Sequence, residues 1–251
     1  MIERQALADS LDSLLQPERF KDYCPNGLQV EGCTHVRKVV SGVTASLAFL
    51  QAAVDAQADA VLVHHGLFWR GQDGRVTGWM RQRLALVLSS NLNLFAYHLP
   101  LDAHPELGNN AQLGKHLGFD VLQRFGEQML GFAGQPNAGA FADSAALAQH
   151  LQKRLDRSVT MVIGHDRPVQ RIAWCTGGAQ GYFEDAIRAG CDAFITGEIS
   201  EPQAHYAREC GVTYIACGHH ASERYGAPAV AQCVADQFGI DHQFIDIDNP
   251  A

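Results

Sequence analysis

The sequence predicts an α/β fold made of two related α/β repeats with mixed, mostly parallel sheets. Short apolar runs alternate with helical patterns along most of the chain, and the second half resembles the first. Strand–helix–strand order places helices over a sheet and favours parallel strand pairs. At 251 residues, the chain is long enough for one large domain or two ordinary ones without disulfide or metal staples.

The first half contains three predicted strands separated by helices. The strands are short and apolar, as buried strands are, and cover residues 37–43, 60–63 and 92–97. Helical spacing after the first strand is shown by Leu47, Leu50 and Val54. A second helix is predicted around residues 79–91. A third is predicted to begin at Pro105, because proline favours the first turn of a helix, and its apolar face holds Leu107, Ala111 and Leu117.

A glycine-rich stretch, residues 126–143, interrupts the alternation of strands and helices. It is interpreted either as a linker or as a short pair of strands around residues 129–132. We therefore predict two domains, residues 1–130 and residues 131–251, and the two halves can intertwine.

The two halves share a repeated pattern of strands. Three pairs of segments align: 36–42 with 169–175, 59–63 with 192–196 at the same offset of 133 residues, and 94–98 with 214–219. Strand–helix–strand units can look alike by chance. The polar residues that both halves carry at the strand ends favour a true duplication.

Charge and cysteine content exclude several classes of protein. The net charge is −8 and no run of Lys or Arg stands out, which argues against a general nucleic-acid or membrane-surface binder. No apolar run approaches the roughly 18 residues of a membrane span, and the first residues lack the layout of a signal peptide. The seven cysteines are scattered without a CxxC pair, so neither a disulfide framework nor a cysteine-type zinc site is expected. We expect a cytoplasmic protein.

Three clusters of histidine and carboxylate residues follow predicted strands. They are His64 with His65, His98 with Asp102, and His219 with Glu223. Ligands bind at the carboxyl ends of strands in open α/β sheets. Imidazole and carboxylate together suit a first-row transition-metal ion such as zinc, manganese, iron or nickel. Adjacent histidines also suit two neighbouring ions bridged by a carboxylate, with the metals about 3.5–4 Å apart.

Other polar residues near these clusters have less specific patterns. Pro100 argues against a regular helix over the second cluster. His220 is interpreted as a supporting or structural residue. Glu198 aligns with His65 in the repeat. It either lines a cavity at the strand ends, beside the histidine clusters, or caps a helix. Four arginines interleave with tryptophans, and either bind a phosphate or a base or form a solvated face: Arg70, Arg75, Arg81 and Arg83.

The motifs that hold these residues resemble those of the GTP cyclohydrolase 1 type 2 family, also called NIF-three-like proteins. They occur in the family's order along nearly the whole chain, at residues 25–32, 63–66, 98–102, 108–110, 196–198 and 218–223. The resemblance implies a duplicated NIF-three-like fold that assembles as a homohexameric ring. The long insertion that some family members carry between the two halves is missing here.

The resemblance also implies a dinuclear metal site in each chain, with Glu223 as the bridging residue. Carried over by position, the metal ligands are His64, His65, Asp102, His219 and Glu223. The two divalent transition-metal ions stay open among zinc, iron, manganese and nickel, because histidine and carboxylate sites accept several ions.

Two hypotheses for function compete. In the first, the chain is a dinuclear metal-dependent hydrolase-like protein that acts on a nucleotide or related heterocycle, and the resemblance specifies GTP cyclohydrolysis. His98 is then the candidate catalytic residue for proton transfer, because it lies near the ligands yet is spare as a ligand. The arginine segment, residues 70–83, would hold the anionic end of the substrate. In the second, the chain is a non-catalytic metal-binding scaffold or metal-delivery protein.

Overall fold

Strands and helices alternate along the chain, as the sequence predicts. The computed structural model describes all 251 residues, Met1–Ala251. Its thirteen strands are β1 (Ile2–Glu3), β2 (Gly27–Val30), β3 (His35–Val36), β4 (Lys38–Thr44), β5 (Ala60–His65), β6 (Asn93–Ala96), β7 (Phe119–Phe125), β8 (Gly131–Pro136), β9 (Thr160–Val162), β10 (Ile172–Trp174), β11 (Ala193–Thr196), β12 (Thr213–Ala216) and β13 (Asp241–Phe244). Its ten α-helices are α1 (Arg4–Leu15), α2 (Leu47–Asp55), α3 (Gly78–Ser89), α4 (Leu99–Ala103), α5 (Asn109–Leu117), α6 (Ser144–Leu155), α7 (Phe183–Arg188), α8 (Glu201–Cys210), α9 (His219–Ser222) and α10 (Gly226–Phe238).

The first compact unit comprises Met1–Gly108 and Arg224–Asp248. Five strands form its main sheet in the order β13-β4-β5-β6-β2. Neighbouring strands are parallel except at one edge, where β2 is antiparallel to β6. The short strands β1 and β3 form a separate antiparallel pair. The main sheet is therefore mostly parallel, as predicted.

Helices cover both faces of this sheet, because β5 sends alternate apolar side chains to opposite sides. Ala60 and Leu62 belong to the core that includes residues of α1 and α10. Val61 and Val63 belong to the core that includes residues of α2 and α3. A strand that is apolar on both faces leaves only its ends for polar chemistry, which is where His64 and His65 lie.

The second compact unit comprises Asn109–Glu223 and Asn249–Ala251. Its six strands have the order β7-β8-β10-β11-β12-β9. Only β10-β11 and β11-β12 are parallel, and the other three pairs are antiparallel. This sheet therefore departs from the mostly parallel arrangement expected, because the β7–β8 hairpin and β9 extend a short parallel centre.

Matched hydrogen bonds support the duplication. Asp59 Oδ2 accepts hydrogen bonds of 2.7 and 3.2 Å from the backbone N–H groups of Arg37 and Lys38. Asp192 Oδ2, at the offset of 133 residues, accepts bonds of 3.0 and 2.9 Å from the backbone N–H groups of residues 170–171. In each unit, one aspartate therefore fastens the start of a parallel strand pair, β4-β5 or β10-β11.

The compact units divide the chain differently from the predicted boundary at residues 130 and 131. The first change of unit falls between Gly108 and Asn109. α5 and β7 pack with β8, which keeps them with the strands that follow. The chain returns to the first unit at Arg224, because α10 packs on β4 and β13 pairs in parallel with β4.

Two local predictions are resolved by the structure. The helix expected from Pro105 begins instead at Asn109, since a turn precedes it in which the N–H groups of Glu106 and Leu107 donate to His104 Nδ1. The glycine-rich stretch 126–143 contains β8, which pairs with β7. Neither interpretation of that stretch is fully correct: it contributes the single strand β8, whose partner β7 precedes it, and residues Glu127–Met129 form a 3-10 turn.

The lengths of the helices and the states of the cysteines bear on the protein classes considered from the sequence. None of the helices combines the length and the apolar character that crossing a membrane requires. All seven cysteines are free thiols, and the buried ones are Cys24, Cys175, Cys191 and Cys217.

Candidate metal centre

The carboxyl end of β5 carries the first two predicted metal-binding residues. His64 is fully buried, and its Nδ1–H donates to the backbone oxygen of Tyr97 at 3.1 Å. His65 Nδ1 lies 3.1 Å from Thr44 Oγ1. The two ring centroids are 4.5 Å apart. Residues at the ends of β6 and β4 therefore orient each ring through its Nδ1 atom.

His98 and Asp102 reach the same end of the sheet from the end of β6. The His98 ring centroid is 5.0 Å from that of His64 and 5.8 Å from that of His65. One nitrogen from each of these three histidines lies within 4.8 Å of the others. Asp102 Oδ1 is 3.5 Å from His64 Nε2. Three imidazoles and a carboxylate are therefore concentrated here, and these are ligand types that first-row transition ions accept.

A short helix presents Asp102, contrary to the expectation from Pro100. The helix α4 begins directly after His98, and Pro100 lies in its first turn. Proline is tolerated there because the first N–H groups of a helix have no partner within it. The N–H of Asp102 donates to the backbone oxygen of His98 at 3.1 Å, which places the two side chains one helical turn apart.

Asp22 is the residue beside this cluster that sequence reasoning missed. His98 Nδ1–H donates to Asp22 Oδ1 at 2.7 Å, while Asp22 Oδ2 accepts from Asn26 Nδ2 and Leu99 N, both at 2.9 Å. Burial would raise the pKa of Asp22, but these hydrogen bonds and the charge of His98 lower it to about 2. Asp22 is therefore an anion that holds His98 with Nδ1 protonated and leaves Nε2 for other partners.

Asp22, Cys24 and His98 also bring possible ligand atoms within 4.8 Å of one another. Both oxygens of Asp22 already accept hydrogen bonds, however. Burial, together with the charge of Asp22, raises the pKa of Cys24 to about 12, which disfavours the thiolate that binds metals. We assign this group to the support of His98 rather than to a second metal site.

In the second unit, the ends of β11 and β12 lead to Glu198, His219 and Glu223. His219 Nδ1 is 2.7 Å from Glu198 Oε1, and its Nε2 is 3.2 Å from Glu223 Oε2. The hydrogen bond with Glu223 raises the pKa of His219 to about 9, with help from Glu198 and against the effect of burial. A metal ion at Nε2 would replace the proton that these carboxylates stabilise. Glu198 therefore contacts His219, whereas the residue at the N-cap of α8 is Ser200.

The loop after β10 packs closely against the Glu223 carboxylate, whose side chain is 3% exposed. Gly177 has φ +70°, and a Cβ atom at this position would clash with Glu223 Oε1. The Gly177 N–H donates to Ser222 Oγ at 2.9 Å, and its oxygen accepts from Gly197 N at 2.8 Å. Glycine is required here by both the backbone conformation and the close approach of the carboxylate.

Gly177→Ala should destabilise the protein by about 1–3 kcal/mol, because alanine is strained at positive φ and displaces Glu223. The measurement is urea denaturation of the metal-free variant. Gly181→Ala is the matched control in the same region, because nothing lies within 4 Å of a Cβ atom at Gly181. Equal unfolding free energies for the two variants would contradict the role given to Gly177.

The four arginines that interleave with tryptophans have different surroundings. Arg75 pairs through Nε and Nη2 with the Asp73 carboxylate, and the Arg83 guanidinium lies 4.8 Å from the Trp79 ring centroid. Arg70 instead donates through Nη2 to the backbone oxygen of Asp22 at 2.8 Å. Of these arginines, Arg70 is hydrogen-bonded to the loop that supports His98, whereas Arg75 is paired with an aspartate.

Comparison with known proteins assigns the chain to a family. The family described as Duf34/NIF3 (NGG1p interacting factor 3) matches residues 2–250. The chain belongs to the Duf34/NIF3 family. The resemblance seen in the sequence motifs is thereby confirmed over the length of the chain.

Curated relatives of this Duf34/NIF3 protein carry the name GTP cyclohydrolase 1 type 2 homolog. The relative from Yersinia pestis is 52% identical over 246 residues, which cover 96% of each chain. The relative from Pseudomonas aeruginosa is 49% identical over 256 residues, covering 100% of this chain and 99% of its own.

Solved structures of similar proteins share the Duf34/NIF3 fold seen here. The structure of protein ybgI is 45% identical, with a TM-score of 0.95 and full coverage of both chains. The crystal structure of TTHA1606 from Thermus thermophilus is 31% identical, with a TM-score of 0.88 and full coverage of both chains. Reduced HcgD from Methanocaldococcus jannaschii, at 16% identity and a TM-score of 0.82, covers 99% of this chain and 98% of its own, and shows the fold alone.

Proposed function

We propose that this protein is a metal-dependent hydrolase that acts on a nucleotide or a related heterocycle. The proposed ligands of two divalent transition-metal ions are His64, His65, Asp102, His219 and Glu223. The proposal draws support from the names of the curated relatives and from the chemistry of these side chains.

The observation that carries the proposal is the hydrogen bonding of the three histidines among these ligands. In each, Nδ1 is within hydrogen-bond distance of a fixed oxygen: Tyr97 O for His64, Thr44 Oγ1 for His65 and Glu198 Oε1 for His219. Metal-binding histidines have this arrangement, because a bond at one ring nitrogen fixes the tautomer and orients the other towards the ion. The residues therefore fit a metal centre that uses the Nε2 atoms.

When bound, such ions supply Lewis acidity and lower the pKa of a coordinated water towards neutrality. The protein's own contribution to proton transfer centres on His98. Because His98 donates its Nδ1–H to Asp22 Oδ1, proton exchange with a substrate is left to Nε2, which can receive a proton and later return it. Asp22 is a positioning residue in this scheme, since it acts through the imidazole of His98.

The Asp22–His98 pair favours an enzyme over the second candidate, a metal-delivery protein or scaffold. A carrier needs ligands but has no use for a proton-transfer group oriented beside them. The test is a screen of metal-loaded protein against nucleotides, pterins, phosphoesters and peptides. Turnover in any class supports the enzyme. Absence of turnover, together with transfer of the ions to an acceptor protein, would replace the enzyme with the carrier.

A further part of the proposal is assembly as a homohexameric ring in the cytoplasm. Family membership motivates the ring, and the seven free thiols suit a reducing compartment. Light scattering at micromolar protein should give a mass near six times 27.3 kDa. A mass near that of a single chain would contradict the assembly without affecting the ligand assignment.

A further inference from the structure

A cleft of about 490 Å³ opens in the first unit beside the loop that holds Asp22. Its lining includes Phe20, Lys21, Asp22, Asn26 and Arg70. This volume falls in the range of small-molecule sites, roughly 300–1,000 Å³. The cleft therefore has the size of a ligand site, and its chemistry depends on the charges that line it.

We propose that this cleft binds the phosphate group of a phosphorylated aromatic substrate next to His98. The proposal rests on the proposed function, because it names the substrate class of that site. It assigns the anion to Arg70, with Lys21 nearby in the lining, and the aromatic ring to the side of the cleft that Pro17 and Phe20 line.

Arg70 is a preorganised cation on the wall of the cleft. Its backbone N–H donates to Tyr23 O at 2.6 Å, and its Nη2 donates to Asp22 O at 2.8 Å. Since the Nη2 bond goes to an uncharged carbonyl group, the guanidinium is oriented by it without being paired to a carboxylate. Arg75 is the contrast, because its guanidinium is already paired with Asp73. Guanidinium groups held in this way are suited to phosphate oxygens.

Lys21 adds a second positive charge, and the one anion in the lining is compensated. The Asp22 side chain is 3% exposed. Its oxygens accept hydrogen bonds from Tyr23 N, His98 Nδ1, Asn26 Nδ2 and Leu99 N. The lining therefore carries two positive charges, and its one carboxylate already accepts four hydrogen bonds from N–H donors.

The cleft and His98 are connected through two shared residues. Asp22 and Asn26 both line the cleft, and both hold His98: Asp22 at Nδ1, and Asn26 through its Oδ1, which accepts from His98 N at 2.7 Å. A phosphate bound by Arg70 would therefore lie beside the two residues that hold His98 in place. The cleft would thus position a substrate beside a cluster that otherwise contains the proposed metal-binding residues and His98.

The test is calorimetric titration of the metal-loaded protein with inorganic phosphate and with phenyl phosphate. We expect phenyl phosphate to bind more tightly, and Arg70→Gln to weaken both by about tenfold to a hundredfold. Arg75→Gln is the matched control and should bind as the wild type does. Equal affinity of wild type and Arg70→Gln for both compounds would overturn the proposal.

Two further measurements separate the outcomes. Metal content is determined for every variant, so that loss of phosphate binding with both ions retained is assigned to the cleft. Phosphate binding that survives Arg70→Gln but disappears with chelator would place the anion on the ions, which refutes the cleft and leaves the proposed function standing. Should Arg70→Gln fail to fold, Lys21→Gln replaces it, because Lys21 is exposed. Lys21→Gln should weaken phosphate binding about threefold or more. Unchanged binding in that variant would refute the cleft as the phosphate site.

Discussion

Glu223→Ala should remove most of the bound metal from the purified protein. The side chain is buried beside His219 and has been assigned the bridging position, so its loss would leave two cations without a shared anion. The measurement is elemental analysis of protein purified without chelator. Wild type is expected to hold close to two transition-metal ions per chain, and the variant well below one.

Two variants control for this experiment. Glu223→Gln keeps the shape of the side chain but removes its charge, so metal loss in this variant isolates the electrostatic contribution. Glu201→Ala removes a carboxylate that is 79% exposed on α8 and should leave the metal content unchanged. Full metal occupancy in Glu223→Ala would refute the bridge.

His98→Ala should reduce turnover by about a hundredfold to ten-thousandfold while both ions remain bound, because general acid–base groups contribute on that scale. The rate is measured on the substrate found by the screen, and metal content is measured in parallel. Asp22→Asn should also slow turnover, since an amide in place of the carboxylate no longer fixes His98 with Nδ1 protonated.

His205→Ala provides the control for His98→Ala. His205 lies on α8, is 57% exposed and pairs with Glu201 one turn away, so its removal should leave the rate unchanged. Metal loss in His98→Ala would make His98 a ligand instead of a proton-transfer residue. Full activity of His98→Ala would remove it from the mechanism.

Local sequence patterns predicted many of the helices and strands. They did not predict which strands pair across long stretches of the chain. The helix expected around residues 79–91 is α3, and the apolar run 60–63 is the buried part of β5. The compact units differ from the predicted division because β7 pairs with β8 and because β13 joins β4 across about two hundred residues of chain. No periodicity in the last segment reveals which sheet it will extend, since any exposed strand edge offers the same backbone groups.

Candidate site residues could be recognised where several of them are close in sequence, and not elsewhere. Adjacent His64 and His65 are conspicuous in the chain, whereas Asp22 stands alone in a loop and meets His98 only after folding. Gly177 was missed for the same reason, since its requirement arises from Glu223, 46 positions later. The motif at residues 25–32 lies close to Asp22 in sequence and was the one indication of it. Asn26, within this motif, donates a hydrogen bond to the Asp22 carboxylate.

Anomalous X-ray scattering from crystals grown without chelator tests the central claim most directly. The account predicts two metal peaks per chain, about 3.5–4 Å apart, ligated by Nε2 of His64, His65 and His219 and by the carboxylates of Asp102 and Glu223. His98 should lie beside them with Nδ1 on Asp22. Metal bound instead by Asp22, Cys24 and His98, or no metal at these residues, would contradict it.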